Sequence, residues 1–586
     1  MKELQYLNKY FAKYKYRFFF GIIFTIAAQI FSLFTPELIG NSISAIKELT
    51  QNKNLTIELI TSALYKNILL IIGTTIIAGF FTFLMRQSII VMSRYVEFDL
   101  KNEVFNHYQR LTQSFYKKNR TGDLMSRISE DVGKVRMYVG PAVMYSLNTI
   151  IRFTVVIIYM YNISPKLTLY TLLPLPLLSY GIFKISTVIN KKSGLFQQNL
   201  STLSSFTQEM FSGIRVIKAY AIENYKTEEF SKLTKDSNEK AMSLAKTHSL
   251  FGPLMILLIG LSNLVVIYVG GMMYIKGDIP DIGIIAQFIL YINMLTWPVA
   301  SLGWVSSLVQ EAEASQKRIN EFLLIQPEIT NQVEEHTEIV GRIEFKDVSF
   351  TYEDTNIEAL KHINFTVNPG ETLAILGKTG SGKSTILSLI SRLYDVSSGV
   401  IKIDENPIQK VHLDDLRNNV GVVPQDAFLF SDTIKNNIKF GNENATDEEV
   451  IEVAKKAVVH HNIVDFTNQY ETILGERGIT LSGGQKQRVS IARALIKNAP
   501  ILLLDDCLSA VDTETEEQIL NNLMAFCDNK TTVIVSHRIS SAKNADKIII
   551  LEDGKIIQKG THNQLVVEDG YYKDLYFKQL SEKEIV

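Results

Sequence analysis

A glycine-rich stretch at residues 377–385, Gly-Lys-Thr-Gly-Ser-Gly-Lys-Ser-Thr, constrains the fold of this 586-residue chain more than any other feature. It follows the apolar run 373–376 and precedes the apolar run 386–390, which predicts a strand, a tight turn and a helix. Backbone N–H groups in such a turn, with the positive end of the helix dipole, can surround a phosphate. The residues expected at the phosphates are Gly377, Lys378, Thr379, Gly380, Ser381, Gly382, Lys383, Ser384 and Thr385.

Two side chains of this loop have separate predicted tasks. Lys383 is expected to reach the β- and γ-phosphates, and the Ser384 hydroxyl is expected to bind Mg²⁺. The alternative is a chance glycine-rich turn, and the apolar runs on both sides argue against it. The sequence therefore predicts a nucleoside triphosphate site.

The first half of the chain carries apolar runs that are too long for soluble helices. Six runs have membrane length, and they lie near residues 17–39, 67–85, 138–161, 166–188, 249–274 and 281–309. The links 86–137 and 189–248 are long and rich in Lys and Arg, which predicts that they and both chain ends are cytoplasmic. A net charge of -1 argues against a general nucleic-acid binder.

The cytoplasmic links are expected to contain long helices. Residues 66–116 include no proline, and about fifty helical residues span about 75 Å, whereas a bilayer core needs about 30 Å. Two tip segments, near 124–132 and 213–223, are predicted contact points for another domain, with plain hairpin turns as the alternative. Arg152 falls near mid-membrane, where it either lines a cavity or pairs with a neighbour.

The second half alternates charged segments with short β-branched strands after a charged linker at 311–340. Tyr352 ends a strand-like run ahead of the phosphate loop, and its ring could stack on adenine. Gln425 follows the strand-like residues 421–423, and its amide could meet Mg²⁺ or a water molecule.

Residues 481–485, Leu-Ser-Gly-Gly-Gln, open a predicted helix. A serine and two glycines at a helix N-terminus form a second anion site that has no lysine. Residues 501–504 predict a buried strand, and two carboxylates follow it directly. Asp505 fits the Mg²⁺-binding position of phosphoryl-transfer sites, and Asp506 lies where a general base for water is expected.

Two further features complete the second half. Residues 509–512 predict a turn after the two carboxylates. His537 follows the strand-like residues 531–535 and could sense the γ-phosphate, although a lone histidine in this position is often structural.

The order of these features resembles the nucleotide-binding domain of ABC transporters. The residues that carry the resemblance are Tyr352, the 377–385 loop, Gln425, the 481–485 stretch, Asp505 and His537. The 481–485 stretch is the most specific, since other phosphate-loop ATPases lack it. With six spans ahead of the ATPase, the whole chain looks like an exporter-class half-transporter. The implied fold is an all-α six-helix transmembrane domain at 1–310, a linker at 311–340 and an α/β P-loop ATPase domain of ABC type at 341–586.

The resemblance implies ATP and Mg²⁺ as ligands, with Asp506, His537 and Gln425 in catalysis and Ser384, Gln425 and Asp505 at the metal. It also implies a dimer in which one chain supplies the phosphate loop and its partner supplies Leu481, Ser482, Gly483, Gly484 and Gln485. Nucleotide-driven closure would then export amphipathic drugs or lipids by alternating access. The expected location is the bacterial cell (inner) membrane, with both termini cytoplasmic.

One departure from the family pattern leaves the partner open. Family members that are active at both sites carry glutamate where this chain has Asp506, and the aspartate side chain is about 1.5 Å shorter. Misplacement on that scale can cost about a hundredfold in rate. The pattern favours the weak-site subunit of a heterodimer, and a homodimer in which Asp506 works through a shifted water stays open.

Two other functions compete with export. An ATP-gated channel or a regulatory subunit would bind ATP without pumping, and the sequence leaves this reading open. A soluble-type ATPase with a membrane anchor is disfavoured, because an anchor needs only one span.

Overall fold

The structure is a computed structural model that describes residues 2–51, 57–508, 513–527 and 529–584. The chain divides into two compact units. The first unit comprises Met1–Gln109 and Gly122–Ile325, and the second comprises Arg110–Thr121 and Gln326–Val586. The predicted turn at 509–512 lies outside the described residues.

The regular secondary structure in the described part of the first unit is helical. Its helices are Glu3–Leu7, Asn8–Lys13, Lys15–Gln51, Ile57–Arg110, Thr121–Ser126, Arg127–Asp131, Val132–Met137, Tyr138–Ala142, Val143–Ile163, Pro165–Leu172, Leu175–Ser212, Ile214–Ala219, Glu223–Ser249, Phe251–Ile275 and Gly283–Leu323. Several of these helices follow one another along the chain without a break, so they form longer continuous helical stretches.

Among the residues that the structure describes, five helical stretches are long and apolar enough to cross a membrane, namely Lys15–Glu48, Thr61–Arg110, Thr121–Ile163, Glu223–Ile275 and Gly283–Leu323. Five of the six predicted spans fall on them. The fourth, at 166–188, is not among these candidates in the part of the chain that the structure describes. It is divided between Pro165–Leu172 and Leu175–Ser212, and Pro174 lies in the turn between them. Proline lacks the backbone N–H that would continue the helix.

The first predicted tip, at residues 124–132, is wrong. These residues lie inside the helical stretch Thr121–Ile163. Arg127 is buried there and pairs with Asp123 one turn earlier at 2.9 Å, so these charges are paired within the helix and do not mark a solvated turn. The chain turns instead at residues 111–120, around the short helix Gln113–Lys118.

The second predicted tip, at residues 213–223, contains the short helix Ile214–Ala219. Long helices precede and follow it along the chain. Its flanks expose large apolar side chains, including Phe211 and Tyr220, at 71% and 75% of their accessible surface. Contact of this segment with another domain stays a prediction.

The second unit is α/β. Its strands are β1 (Ile343–Tyr352), β2 (Ile357–Val367), β3 (Thr372–Gly377), β4 (Ser398–Ile403), β5 (Asn406–Pro407), β6 (Val420–Val423), β7 (Ile501–Asp505), β8 (Thr531–Val535), β9 (Lys547–Glu552) and β10 (Lys555–Gly560). Its α-helices are Gln113–Lys118, Lys383–Ile390, Leu413–Asn418, Ile434–Lys439, Asp447–Lys456, His460–Val464, Gly483–Ile496, Thr513–Cys527, His562–Val567 and Tyr571–Glu584.

Two sheets organise this unit. An antiparallel sheet has the strand order β2-β1-β4-β5, and a six-stranded sheet has the order β10-β9-β3-β8-β7-β6. Strands β9, β3, β8, β7 and β6 run parallel, and β10 pairs antiparallel with β9. Parallel strands are covered on both faces, which explains the continuous apolar runs 373–376 and 501–504, all buried.

The parallel sheet brings separate stretches of sequence to one edge. The phosphate loop follows β3, the two carboxylates end β7, and His537 follows β8. Because parallel strands point the same way, their carboxyl ends meet at this edge. Ahead of β1, residues 325–342 form an irregular segment, whereas residues 311–323 of the predicted linker continue the helix Gly283–Leu323.

We expect Leu503→Ala to lower the thermal midpoint of the second unit by about 5 °C or more in the full-length protein. Leu503 is fully buried in β7, and truncation of such a residue leaves a cavity that costs about 2–5 kcal/mol. Differential scanning calorimetry in detergent would measure the shift.

Val422→Ala is the matched control for this substitution. Val422 is the register partner of Leu503 on β6, but 42% of its surface is exposed. Its truncation should cost less than about 1 kcal/mol. Equal shifts for the two variants would contradict the assignment of β7 to the core.

Candidate functional site

The loop between β3 and the helix Lys383–Ile390 has a backbone that other residues would not adopt easily. Gly382, just before the helix, has a φ of 99°, in the left-handed region that favours glycine. A Cβ atom at this position would lie 2.4 Å from the Ala359 carbonyl oxygen. The loop is therefore packed against the end of a neighbouring strand, β2, and its curvature depends on glycine.

The Lys383 side chain is folded back into this loop. Its ammonium donates hydrogen bonds to the carbonyl oxygens of Gly377 at 2.9 Å and Lys378 at 2.8 Å. The residue is only 5% exposed. Burial lowers the pKa of Lys383, and the nearby carboxylates of Asp506 and Asp505 oppose that shift. A positive charge is thus held at the centre of the loop.

Asp505 connects β7 to the phosphate loop. Its Oδ1 atom accepts a hydrogen bond from the Ser384 hydroxyl at 2.9 Å. Burial raises the pKa of Asp505, the Ser384 bond opposes that shift, and the charge of Asp506 adds to it. The structure thus brings two predicted metal-binding residues into direct contact, although they are far apart in sequence.

Asp506 lies one residue beyond the strand, in an uncommon backbone conformation. Its φ is 43°, and its N–H donates to the Val535 carbonyl at 2.9 Å, which anchors it to β8. Burial raises the pKa of Asp506, whereas His537 and Lys383 oppose the shift. Part of the His537 contribution is a hydrogen bond from its backbone N–H to the carboxylate.

His537 and Gln425 extend the same edge of the sheet. The His537 carbonyl accepts a hydrogen bond from Gln579 at 2.9 Å. Burial lowers the pKa of the His537 imidazole, as does the nearby Lys383 charge, so the neutral ring is favoured. Gln425 is exposed two residues beyond β6, the strand that pairs with β7. The parallel register places it at the edge that carries the carboxylates.

Tyr352 is held by both polar and aromatic contacts. Its hydroxyl lies 3.0 Å from the Thr385 hydroxyl, which ties the end of β1 to the phosphate loop. The rings of Phe350 and Tyr394 meet Tyr352 edge to face, with centroids 4.8 and 5.5 Å away. The ring is therefore fixed next to the loop.

Sequence reasoning missed one residue at this ring. The ammonium of Lys117 lies over the face of Tyr352, 4.4 Å from its centroid, and 5.2 Å from the centroid of Tyr394. Lys117 belongs to the helix Gln113–Lys118, which groups with the second unit. No sequence signal predicts this contact, because more than two hundred residues separate the two side chains.

Residues 481–485 form the N-terminus of the helix Gly483–Ile496. The Ser482 hydroxyl accepts the Gln485 N–H at 3.3 Å, and the Gln485 side chain accepts the Ser482 N–H at 3.0 Å. This reciprocal capping box defines the start of the helix. Leu481 is buried, whereas Ser482 and Gly483 are exposed, so the cap faces solvent.

The helix Gly483–Ile496 packs against the helices Ile434–Lys439 and Asp447–Lys456 and against β6. The phosphate loop, by contrast, follows β3, with β8 and β7 between β3 and β6 in the sheet. The second unit therefore carries two anion-binding features at different places. One contains a lysine and contacts carboxylates, and the other is an exposed helix N-terminus.

In the first unit, Arg152 pairs with a neighbouring helix. Its Nε atom donates to Gln29 Oε1 at 2.7 Å, and Gln29 in turn donates to Asn148 at 2.6 Å. Gln29 is buried. Of the two predicted roles for Arg152, the structure shows the pairing with a neighbour.

Family models and relatives of the same kind match both halves of the chain. The family model described as "ABC transporter transmembrane region" matches residues 18–299, and the one described as "ABC transporter" matches residues 360–509. The multidrug resistance-like ATP-binding protein MdlA of Escherichia coli is 36% identical over 99% of this chain and 97% of its own length. The ATP-dependent lipid A-core flippase of Syntrophus aciditrophicus is 35% identical over 83% of this chain and 81% of its own.

A solved structure shares the architecture. The structure of a bacterial Atm1-family ABC exporter with ATP bound has a TM-score of 0.80 and 25% identity, and the match covers 96% of this chain and 98% of that chain. The fold class that the sequence predicts, a helical membrane region followed by an α/β ATP-binding region, is thereby confirmed. This chain belongs to the ABC transporter family, as an exporter-type half-transporter in which a membrane region and an ATP-binding region are fused.

Proposed function

We propose that the chain exports amphipathic compounds, drugs or lipids, across the cell membrane at the expense of ATP. One observation carries the proposal. A loop with a buried lysine contacts a carboxylate through Ser384, and the described part of the same chain contains five membrane-length helices. The relatives named for multidrug resistance and for a lipid A-core flippase support this substrate class. We place the protein in the bacterial inner membrane with both termini in the cytoplasm.

Mg²⁺ fits the donor set at the sheet edge. The Ser384 hydroxyl donates a hydrogen bond to the Asp505 carboxylate, and Gln425 follows β6, the strand that pairs with β7. All three offer the oxygen ligands that Mg²⁺ prefers. When bound with ATP, the ion would neutralise phosphate charge. The protein groups would orient the triphosphate, with the Lys383 ammonium moving from two loop carbonyls to phosphate oxygens.

Asp506 and His537 are proposed to act on the attacking water. Asp506 adjoins the metal-binding carboxylate, and burial raises its pKa, which suits a group that must accept a proton. The neutral His537 imidazole could hydrogen-bond to the γ-phosphate or the water. The Asp506 N–H is bonded to the Val535 carbonyl on β8, and the Gln579 side chain of the C-terminal helix donates to the His537 carbonyl, so both backbones are held in place.

The exposed cap at residues 481–485 supports a dimer. The cap offers backbone N–H groups to an anion but no lysine, and a second ATP-binding region that meets it head to tail would supply the triphosphate. Each nucleotide would then join a phosphate loop to the partner's cap. Closure would depend on ATP, and hydrolysis would release it.

The identity of the partner depends on Asp506. A side chain about 1.5 Å shorter than glutamate reaches less far toward water, which supports a slow site in this chain. In a heterodimer, its intact cap would serve the partner's ATP. A homodimer in which Asp506 acts through a shifted water is the alternative.

ATP-dependent uphill uptake of an amphipathic dye into inside-out vesicles tests the proposal. Vesicles would contain this chain alone or with the half-transporter that co-purifies with it. Uptake should require Mg²⁺-ATP and collapse in Lys383→Ala. A conductance that ATP opens without net uphill transport would favour the channel or regulatory subunit instead.

Lys383→Ala should weaken ATP binding to the purified chain by about 10- to 100-fold, because it removes a charge-assisted hydrogen bond to phosphate. Isothermal titration calorimetry on the full-length protein in detergent would measure the affinity. Lys455→Ala is the matched control, since Lys455 is exposed on the helix Asp447–Lys456. Unchanged affinity in Lys383→Ala would overturn the assignment of the loop.

Asp506→Glu should raise the ATPase rate of the purified chain by up to about a hundredfold, because the longer side chain reaches the attacking water. Phosphate release at saturating Mg²⁺-ATP would report the rate. Asp506→Asn, which removes the base, should reduce it below the wild-type rate. Fast turnover by the wild-type chain alone, with no gain in Asp506→Glu, would contradict the weak-site reading and favour the homodimer.

His537→Ala should slow hydrolysis by about 10- to 100-fold and leave ATP affinity within about twofold, if its ring contacts the γ-phosphate chiefly during reaction. Single-turnover kinetics and calorimetry would separate the two effects. The exposed His461, substituted by alanine, controls for the loss of an imidazole. Equal losses of binding and rate would assign His537 a structural role.

A further inference from the structure

A cluster of two histidines and one aspartate lies in the second unit, in the segment ahead of β1 and at the helix Leu413–Asn418. One ligand atom from each of His336, His412 and Asp415 lies within 4.8 Å of the other two. The proposed export function uses none of these residues. Two imidazoles and a carboxylate are typical ligands of zinc and related transition metals.

The distances between the ligand atoms suit a single small ion. His336 Nδ1 lies 2.9 Å from Asp415 Oδ1, and His412 Nδ1 lies 3.9 Å from Asp415 Oδ2. Two ligands bound to one tetrahedral zinc at about 2.1 Å lie about 3.4 Å apart, so the two observed distances bracket that value. The His336 side chain is 76% exposed, so it can shift to bring its Nδ1 atom within bonding distance of a shared ion.

The half-buried His412 has a buried ring nitrogen without a hydrogen-bond partner. His412 is only 12% exposed, and its Nδ1 atom is buried and has no hydrogen bond. Its other ring nitrogen, Nε2, lies 2.6 Å from Asn331 Nδ2. A buried polar atom without a partner is costly, and once the ring proton has moved to Nε2 the Nδ1 lone pair could bind an ion beside the Asp415 carboxylate.

Asp415 is already oriented by the segment that carries His336. Its Oδ2 atom accepts the Thr337 N–H at 2.9 Å, so the carboxylate is held in place without a metal. The rings of His336 and His412 stand beside each other, with centroids 4.6 Å apart. Asp415 is therefore positioned by a bond to the backbone, His412 by the Asn331 side chain, and His336 by its contacts with Asp415 and the His412 ring.

We propose that His336, His412 and Asp415 bind one zinc-class transition-metal ion, which attaches the segment ahead of β1 to the helix Leu413–Asn418. Water would complete the tetrahedral coordination. Ca²⁺ and Mg²⁺ would not compete, because they prefer all-oxygen sites.

Asn331 determines how His412 can act as a ligand. Asn331 Oδ1 accepts the Leu413 N–H at 3.0 Å, so its Nδ2 faces His412 Nε2, and the ring proton lies on Nδ1. Metal binding through Nδ1 moves that proton to Nε2. The Asn331 amide must then turn over to accept it, and the bond to Leu413 is lost. A carboxylate at position 331 would accept both N–H groups at once.

The test is a zinc titration of tag-free, chelator-treated, full-length protein in detergent, against a chromophoric chelator and with Mg²⁺ in excess. We expect one Zn²⁺ per chain. His336→Gln and His412→Gln should each weaken binding at least tenfold, while ATP affinity stays unchanged as evidence of folding. His362→Gln is the matched control, because His362 forms an exposed pair with Asp347 at 2.8 Å. It should leave zinc binding unchanged.

Asn331→Asp gives an independent readout of the site. It should strengthen zinc binding about tenfold, through the carboxylate–histidine–metal arrangement. Gln332→Glu adds the same charge at the next, exposed residue and should have a much smaller effect. Zinc should also slow proteolysis within residues 326–342 of the wild-type protein but not of His336→Gln.

Three results would overturn the proposal. These are the lack of a stoichiometric zinc site, zinc binding that His336→Gln leaves unchanged, or equal effects of Asn331→Asp and Gln332→Glu. Each of these results is independent of ATP binding and export, so failure here would leave the proposed function intact.

Discussion

The buried ammonium of Lys383 is the contact on which the candidate site depends. Two carbonyl oxygens of its own loop hold it, and the loop keeps its curvature because Gly382 adopts a left-handed conformation against β2. A buried positive charge attracts nearby carboxylates and an incoming phosphate more strongly than an exposed charge would, because the local dielectric is lower. Asp505, Asp506 and His537 are arranged around that charge, and burial shifts the pKa of each away from its ordinary value.

The parallel sheet places the other candidate site residues near this lysine. Strands β3, β6, β7 and β8 run in the same direction, so the residues that follow them lie along one edge of the sheet. The hydrogen bond between Ser384 and Asp505 crosses that edge and joins the phosphate loop to β7. Such preorganisation reduces the cost of assembling the site when ligand binds. The capping box at residues 481–485 is built separately, which is consistent with a second chain completing the site.

The membrane region follows different rules. Its helices hydrogen-bond their own backbone, so the sequence needs only length and apolarity to specify them, and five predicted spans appear as such. One prediction was wrong: the tip expected near residues 124–132 lies within a helix, where Arg127 pairs with Asp123. The predicted span at 166–188 is divided between two helices at Pro174. Arg152 donates a hydrogen bond to Gln29 on another helix, and composition alone does not predict this partner.

The sequence by itself determined the parts that depend on short-range order. These are the strand, glycine turn and helix at residues 377–385, the cap at 481–485 and the carboxylates that end β7, because backbone geometry and spacing within a few residues dictate them. Only the tertiary structure decided which distant side chains meet. Lys117 over Tyr352, Gln29 beside Arg152, and His336 beside His412 and Asp415 are such pairs. These contacts depend on how the elements pack against one another, and the spacing of the residues along the chain does not predict that packing.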